Sequence, residues 1–177
     1  TSGEATGYPV LLAVTASFVV TLGLWWLYFY FANDAMRHAL QTADIQVNVT
    51  RHVLSYGHLA FIAAIIAVAV GMHDTVAQPT EAMSWGEAGL LYGGCALFLA
   101  TFGYTRWMMF RLVSSTRLVA AAAVVVLLPL APYIPALAAL VLLGGALVVL
   151  NAVEYRRVAR AAQQQAATAG SAEKPVE

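Results

Sequence analysis

The chain has 177 residues, 61% of them hydrophobic and only 10% charged, with nine basic and nine acidic side chains and a formal net charge of zero. A soluble domain carries about 25% charged residues, so this chain cannot face water on all sides, and its mean hydropathy of +0.75 points to lipid as the main solvent. Zero net charge argues against a nucleic-acid partner, and the lone Cys95 excludes an internal disulfide and a thiolate metal cluster.

A helix needs roughly 20 apolar residues to cross the hydrocarbon core and can manage with about 17. The first qualifying segment is 9–32, which ends in "LWWLYFYFAND". Amphipathic rings such as Trp25, Trp26, Tyr28 and Tyr30 suit the headgroup level. A sharper reading makes them an aromatic wall, with Trp25 and Phe29 on one face, and Trp26 and Tyr30 on another.

The second span is 53–72. Its Ala63, Ala67 and Gly71 recur every fourth residue, a groove into which a neighbouring helix can press. The third, 87–104, repeats the device with Gly89, Gly93 and Gly94. From Leu118 the apolar run is too long for one helix, and Pro129, Pro132 and Pro135 divide it. Two helices follow, about 115–131 and 135–154, joined by a turn at "APYIP", with Gly144 and Gly145 as a small-residue patch on the last. Cys95 reads as a small buried apolar residue. The expected fold is therefore an all-α polytopic transmembrane bundle of about five spans over 1–160. Residues 161–177 form a cytoplasmic tail that first prolongs the last helix and is then partly disordered.

The loops orient these spans. Arg37 and Arg51 lie in 33–52, Arg106, Arg111 and Arg117 in 105–117, and Arg156, Arg157 and Arg160 after the last span. The alternate segments 1–8, 73–86 and 132–135 contain no Lys or Arg, and hold Glu4, Asp74 and Glu81. Basic loops favour the cytoplasm, so the amino end is expected outside and the carboxyl end inside. The chain starts with Thr and has no basic segment before its first apolar run, so a signal peptide is not expected. An odd number of preceding spans would explain an outside amino end. The chain then reads as the carboxyl-terminal half of a longer bundle, with the amino-terminal half as a partner beside the lipid bilayer, and a second copy or another membrane protein as further candidates.

His58 is the ionisable group that this reading cannot treat as a loop residue. At α-helical spacing it shares a face with Ser55 and Arg51, and it lies roughly 10 Å deeper than Arg51. Such a residue should face the bundle interior, where burial favours the neutral imidazole. Tyr28 or Asp34 of the first span is the expected hydrogen-bond partner. The candidate substrate or proton site is thus His58, Ser55, Tyr28, Asp34, Arg51 and Trp25. The competing reading is an interhelical hydrogen bond that only fixes packing, worth about 0.6 kcal/mol on average. His38, His52 and His73 read as solvated interfacial residues. No haem is expected, since two deep histidines would be needed, and no His/Asp/Glu cluster has metal-ligand spacing. "NVT" at 48–50 matches a glycosylation acceptor but falls in a loop expected on the cytoplasmic side. "TRWMMFRLVSSTR" reads as a basic, aromatic interfacial loop, with anionic-lipid binding as a variant. Glu154 and Arg157 are spaced for a weak pair on the helix surface.

Three stretches, "LWWLYFYFAND", "SYGHLAFIAAIIAVAVGM" and "LLYGGCALFLATFGYTR", together resemble the bacterial low temperature requirement protein A family. The positions that carry the resemblance are Leu24 to Phe29, Tyr56, His58, Leu59, Val70, Gly71, Gly93 and Gly94. The resemblance covers roughly Gly23 to Arg117 and extends more weakly to Arg157. It implies a longer, polytopic protein of the bacterial inner membrane with a cold or stress association, and brings no established molecular activity. Where the family pattern leads one to expect an acidic residue after "WWLYF", this chain has Tyr30, with Asp34 one turn later. Either Asp34 substitutes for that carboxylate or this member lacks it.

Two functions remain. One is transport or permeation through a polar site around His58. The other is a non-transporting sensor or subunit that packs against a partner through its small-residue grooves. An intramembrane enzyme is not expected, because no Ser/His/Asp set and no paired carboxylates appear within a span.

Overall fold

The architecture is given by a computed structural model that describes residues 2–41, 53–110 and 115–172. Helix α1 is Ser2–Gln41 and α2 is His58–Ala77, the latter entered through a π turn at Val53–Gly57. The third span is one rod in three pieces: a single α turn at Trp85–Ala88, a π turn at Gly89–Gly93, and α3 at Gly94–Phe110. Helix α4 is Ser115–Leu127 and tightens into a 3-10 segment at Leu128–Tyr133; α5 is Ala136–Ala172. Among the described residues five stretches are long and apolar enough to cross a membrane: Gly7–Phe29, Ser55–Ala77, Trp85–Trp107, Ser115–Tyr133 and Ala136–Arg160. The all-α bundle expected from hydropathy is the fold observed; α5 extends to Ala172.

The breaks between spans follow local chemistry. Pro129 and Pro132 lack the N–H that would continue the i→i−4 ladder, and the chain there winds into the tighter 3-10 form. Pro135 then forms an isolated bridge with Ala82. The first amides of α5 are orphan donors. They find acceptors across the bundle, Ala136 N–H on the Glu81 carbonyl at 2.8 Å and Leu137 N–H on that of Pro79 at 3.0 Å. The third span begins at a capping box. Ser84 Oγ accepts from Glu87 N–H at 3.2 Å, and the Glu87 carboxylate accepts from Ser84 N–H at 2.6 Å. The motif S-x-x-E was visible in the sequence and places the start of the span two residues before 87. Ser84→Ala is expected to cost about 1 kcal/mol, read as a lowered unfolding midpoint in detergent; an unchanged midpoint would mean the box contributes nothing.

The third span is the centre of the bundle. Its most apolar window is 67% buried, against 22–39% for the other four. Helix α2 packs antiparallel to it, with Gly71 against Leu91, Gly94 against Ala64, Ala67 and Val68, and Gly57 against Thr105. Helix α4 returns along its other side, where Leu118 covers Gly103. Helices α1 and α5 run parallel, with Gly23 against Leu147 and Asn151, and Val19 and Val20 against Gly144. Asn151 ties this pair by donating to the Gly23 carbonyl at 3.2 Å and to that of Leu147 at 2.9 Å. Tyr92 links the centre to α5 through a 2.6 Å bond from its hydroxyl to the Ala139 carbonyl. Cys95 is fully buried in the apolar core, as its neighbours suggested. Faces such as Leu11, Phe18, Ile62, Ile65, Val119, Val126 and Val149 are exposed. Their exposure suits lipid, which is as apolar as they are.

All three small-residue stripes need correction. In the second span Ala67 and Gly71 do meet the neighbouring helix, but Ala63 is exposed and Ala64 takes its place. In the third, only Gly94 lies at a helix contact; a Cβ on Gly89 or Gly93 would meet nothing within 4 Å. The stripe assumed α spacing, and the π turn over Gly89–Gly93 adds a residue to the turn, rotating those glycines off the contact. Gly145 likewise touches nothing, and Gly144 makes only ordinary van der Waals contact.

Candidate functional site

Charge separates along the bundle axis. The connection between α2 and the third span packs against the start of α5, so Glu81 within it, Asp74 in the last turn of α2 and Glu87 in the first turn of the third span share one end. Arg106, Arg156, Arg157 and Arg160 fall at the other, the basic end, as does the entry to α4. That entry carries the most polar buried contact described. Arg117, only 3% exposed, places Nε 2.8 Å from Glu154 Oε1 and one Nη 2.8 Å from Oε2. This is the two-toothed geometry in which a guanidinium fork matches a carboxylate. The guanidinium carbon also lies 4.7 Å from the centre of the Phe102 ring, close enough for a cation–π contact. One turn beyond Glu154, Arg157 donates to Thr116 Oγ1 at 2.8 Å, a second tie between α4 and α5.

This centre overturns two expectations. Residues 105–117 are not one loop: helix continues to Phe110 and resumes at Ser115, so Arg117 lies inside α4. Glu154 does not pair with Arg157 on its own helix but with Arg117, 37 residues away. The i,i+3 spacing made the intrahelical pair possible. The crossing of α4 over α5 made the interhelical pair better, because Arg117 is buried and has no water to turn to. Only the position of Arg117 at the mouth of an apolar run hinted at it.

Below the pair the interior is aromatic and closed. Tyr28 from α1 meets Phe61 of α2 edge-on at 5.9 Å and Phe102 at 6.1 Å. Phe61 in turn packs on Phe98 at 5.2 Å and on Phe102 at 4.6 Å. The six residues expected to form a site are not drawn together around this interior. His58 lies in the first turn of its span and is exposed, as is Ser55. Within the five helices of this chain His58 does not face inward. The inward face of α2 is Phe61, Ala64, Val68, Gly71 and Thr75. The stripe from Arg51 through Ser55 to His58 also assumed α spacing across Val53–Gly57, which is a π turn. No hydrogen bond joins His58 to Tyr28 or to any other side chain among the described residues, and neither of the two cavities described is lined by either residue. Trp25 is half exposed and leans on Phe29 at 4.7 Å, as their spacing predicted, while Trp26 is equally exposed. Arg51 and the "NVT" sequence lie outside the described residues, and so do the side chains of Asp34, Tyr30 and His38. His73 is exposed and touches Asp74, its Nδ1 3.1 Å from Oδ1. Among the described residues no group of three or more His, Cys, Asp or Glu is placed to hold a metal ion.

Comparison with known proteins places the chain in a family. The family model for Bacterial low temperature requirement A protein (LtrA) matches residues 1–152. The chain belongs to the LtrA family. The match covers the first four spans and most of the fifth, and includes Phe102 and Arg117; it stops two residues short of Glu154. Among curated proteins, an uncharacterized protein of Rhizobium meliloti (strain 1021) is 30% identical over 105 residues. That stretch is 59% of this LtrA chain but only 24% of the relative, so the chain matches about a quarter of the relative's length. No solved structure matches the chain.

Proposed function

We propose that this LtrA-family chain is a membrane module that works by packing against a membrane partner, and that its own five-helix interior is not a permeation path. The observation that carries this reading is the closed aromatic interior: Tyr28, Phe61, Phe98 and Phe102 pack ring on ring where a route inward from the basic end would have to run. An ionisable residue within a span is costly against lipid, and His58 with Ser55 is exposed on the outer face of α2. A partner at that face would supply the missing hydrogen bonds, and the far longer curated relative supports further helices of the same protein as that partner. The arginine asymmetry supports a basic end in the cytoplasm of a bacterium; the association with growth at low temperature rests on the family alone.

A second reading has its own support. Because Ser55 and His58 form a polar spot on the outside, a transported species or proton could meet them at the seam between this unit and its partner. One experiment separates the two. The purified chain is reconstituted alone into proteoliposomes, and proton leak is followed with an entrapped dye. Leak should stay at the level of protein-free vesicles, and His58→Ala should change the unfolding midpoint by no more than a surface substitution, about 0.5 kcal/mol. Flux through the chain alone that His58→Ala abolishes would end the packing-module reading. His58-dependent flux that appears only with the full-length protein would favour the seam.

A further inference from the structure

We infer that the outward groove between α4 and α5 holds one acyl chain of an anionic phospholipid, with the phosphate at Arg157 and Ser115. The groove encloses about 480 Å³, within the range of sites that hold small molecules. It exists because small residues face each other: Ala120 and Ala123 on α4 oppose Gly145 on α5. Its walls are apolar except at one end, where Ser115, Thr116 and Arg157 line it.

Charge complementarity identifies the occupant's head. The nearby carboxylate of Glu154 is already held at both oxygens by Arg117, so it does not neutralise the groove mouth. Arg157 spends one nitrogen on Thr116, which fixes its side chain across the mouth, and the adjoining turn adds exposed Arg156 and Arg160 with no acid between them. A phosphate is the group such a mouth would bind.

Length identifies the tail. Gly145 and Arg157 are twelve residues apart on α5, so the groove runs about 18 Å. That is close to the depth of one leaflet, half of a hydrocarbon core about 30 Å thick. A partner helix would run through both leaflets, whereas this groove begins at the basic edge and stops near the midplane. The occupant that fits a half-membrane slot with a cationic mouth is a lipid of the leaflet on the basic side.

The test is to equilibrate the purified chain with equimolar phosphatidylglycerol and phosphatidylcholine and to count retained lipid by native mass spectrometry. One phosphatidylglycerol should be retained in clear preference. Arg157→Gln should lower that preference about fivefold, the effect of one basic residue at an anionic surface. Gly145→Leu should remove bound lipid of both kinds; a Cβ there meets nothing within 4 Å, so the fold has room for it. Ala123→Leu fills the same groove from the other helix and serves if the first variant does not fold. Equal retention of the two lipids by the unaltered chain would overturn the proposal. So would a preference that survives Arg157→Gln, or retention that survives a filled groove. A dimer that either filling substitution dissociates would overturn it in favour of a second copy in the groove.

Discussion

Arg117→Ala is expected to cost about 3–5 kcal/mol of stability, the usual result of leaving one member of a buried ion pair alone. The residue left behind is Glu154, whose side chain is only 15% exposed and which loses both bonds of its carboxylate at once. The Phe102 ring loses its cation as well. Glu154→Ala should be comparably harmful, since it leaves the guanidinium stranded in a site that is almost closed. The informative variant is the pair Arg117→Met with Glu154→Leu, which replaces two charges by apolar volume. Buried ion pairs replaced in this way are often neutral or stabilising, so the double variant should recover most of the loss. The measurement is the unfolding midpoint in detergent, with the four chains forming a double-mutant cycle. A single variant as stable as the parent would show that water reaches the pair, and that its burial contributes little.

The second large effect lies where α2 crosses the third span. Gly71→Leu should destabilise by about 1–3 kcal/mol or more, the range for overpacking a closed contact. The first added atom alone would sit 2.8 Å from Leu91 Cβ, 2.9 Å from its amide nitrogen and 3.0 Å from its Cα. Two of those three are backbone atoms inside a helix turn and cannot step aside. Gly93→Ala is the control. It meets nothing within 4 Å, and alanine is favoured over glycine in a helix by roughly 1 kcal/mol, so stability should hold or rise. If Gly71→Leu and Gly93→Ala melt alike, the close approach of α2 to the third span is not what holds those helices together. Removing bulk matters less here than adding it, because helix association in lipid depends on van der Waals fit rather than on escape from water.

The membrane fold was legible before any coordinates, and particular residues say why. Hydropathy summed over about 20 residues depends only on composition, so an all-α bundle of about five spans could be read from the sequence, and five helices among the described residues are long and apolar enough to cross a membrane. The prolines at 129, 132 and 135 acted locally, through a missing N–H, and marked the break at the right place. The same local logic would have set the start of the third span from Ser84 and Glu87. The candidate site was not legible in that way. His58 was assigned inward because ionisable groups avoid lipid, yet the chain turns Phe61 inward and leaves His58 outside.

Counting of helix faces also has a physical limit here. A helical face is counted at 3.6 residues per turn, and the π turns at Val53–Gly57 and Gly89–Gly93 break that count where the Arg51–His58 stripe and the Gly89–Gly93 stripe were drawn. The ion pair shows the same division between local and distant causes. Arg117 and Glu154 are 37 residues apart, and no window of sequence contains both. Composition and local chemistry determined that this chain is a five-span membrane helix bundle with its charges segregated along its length. Which residues meet inside it, Arg117 with Glu154, Tyr28 with Phe61, Gly71 with Leu91, was decided only by how the helices cross, because contacts between distant segments depend on rotations about each helix axis that local sequence does not encode.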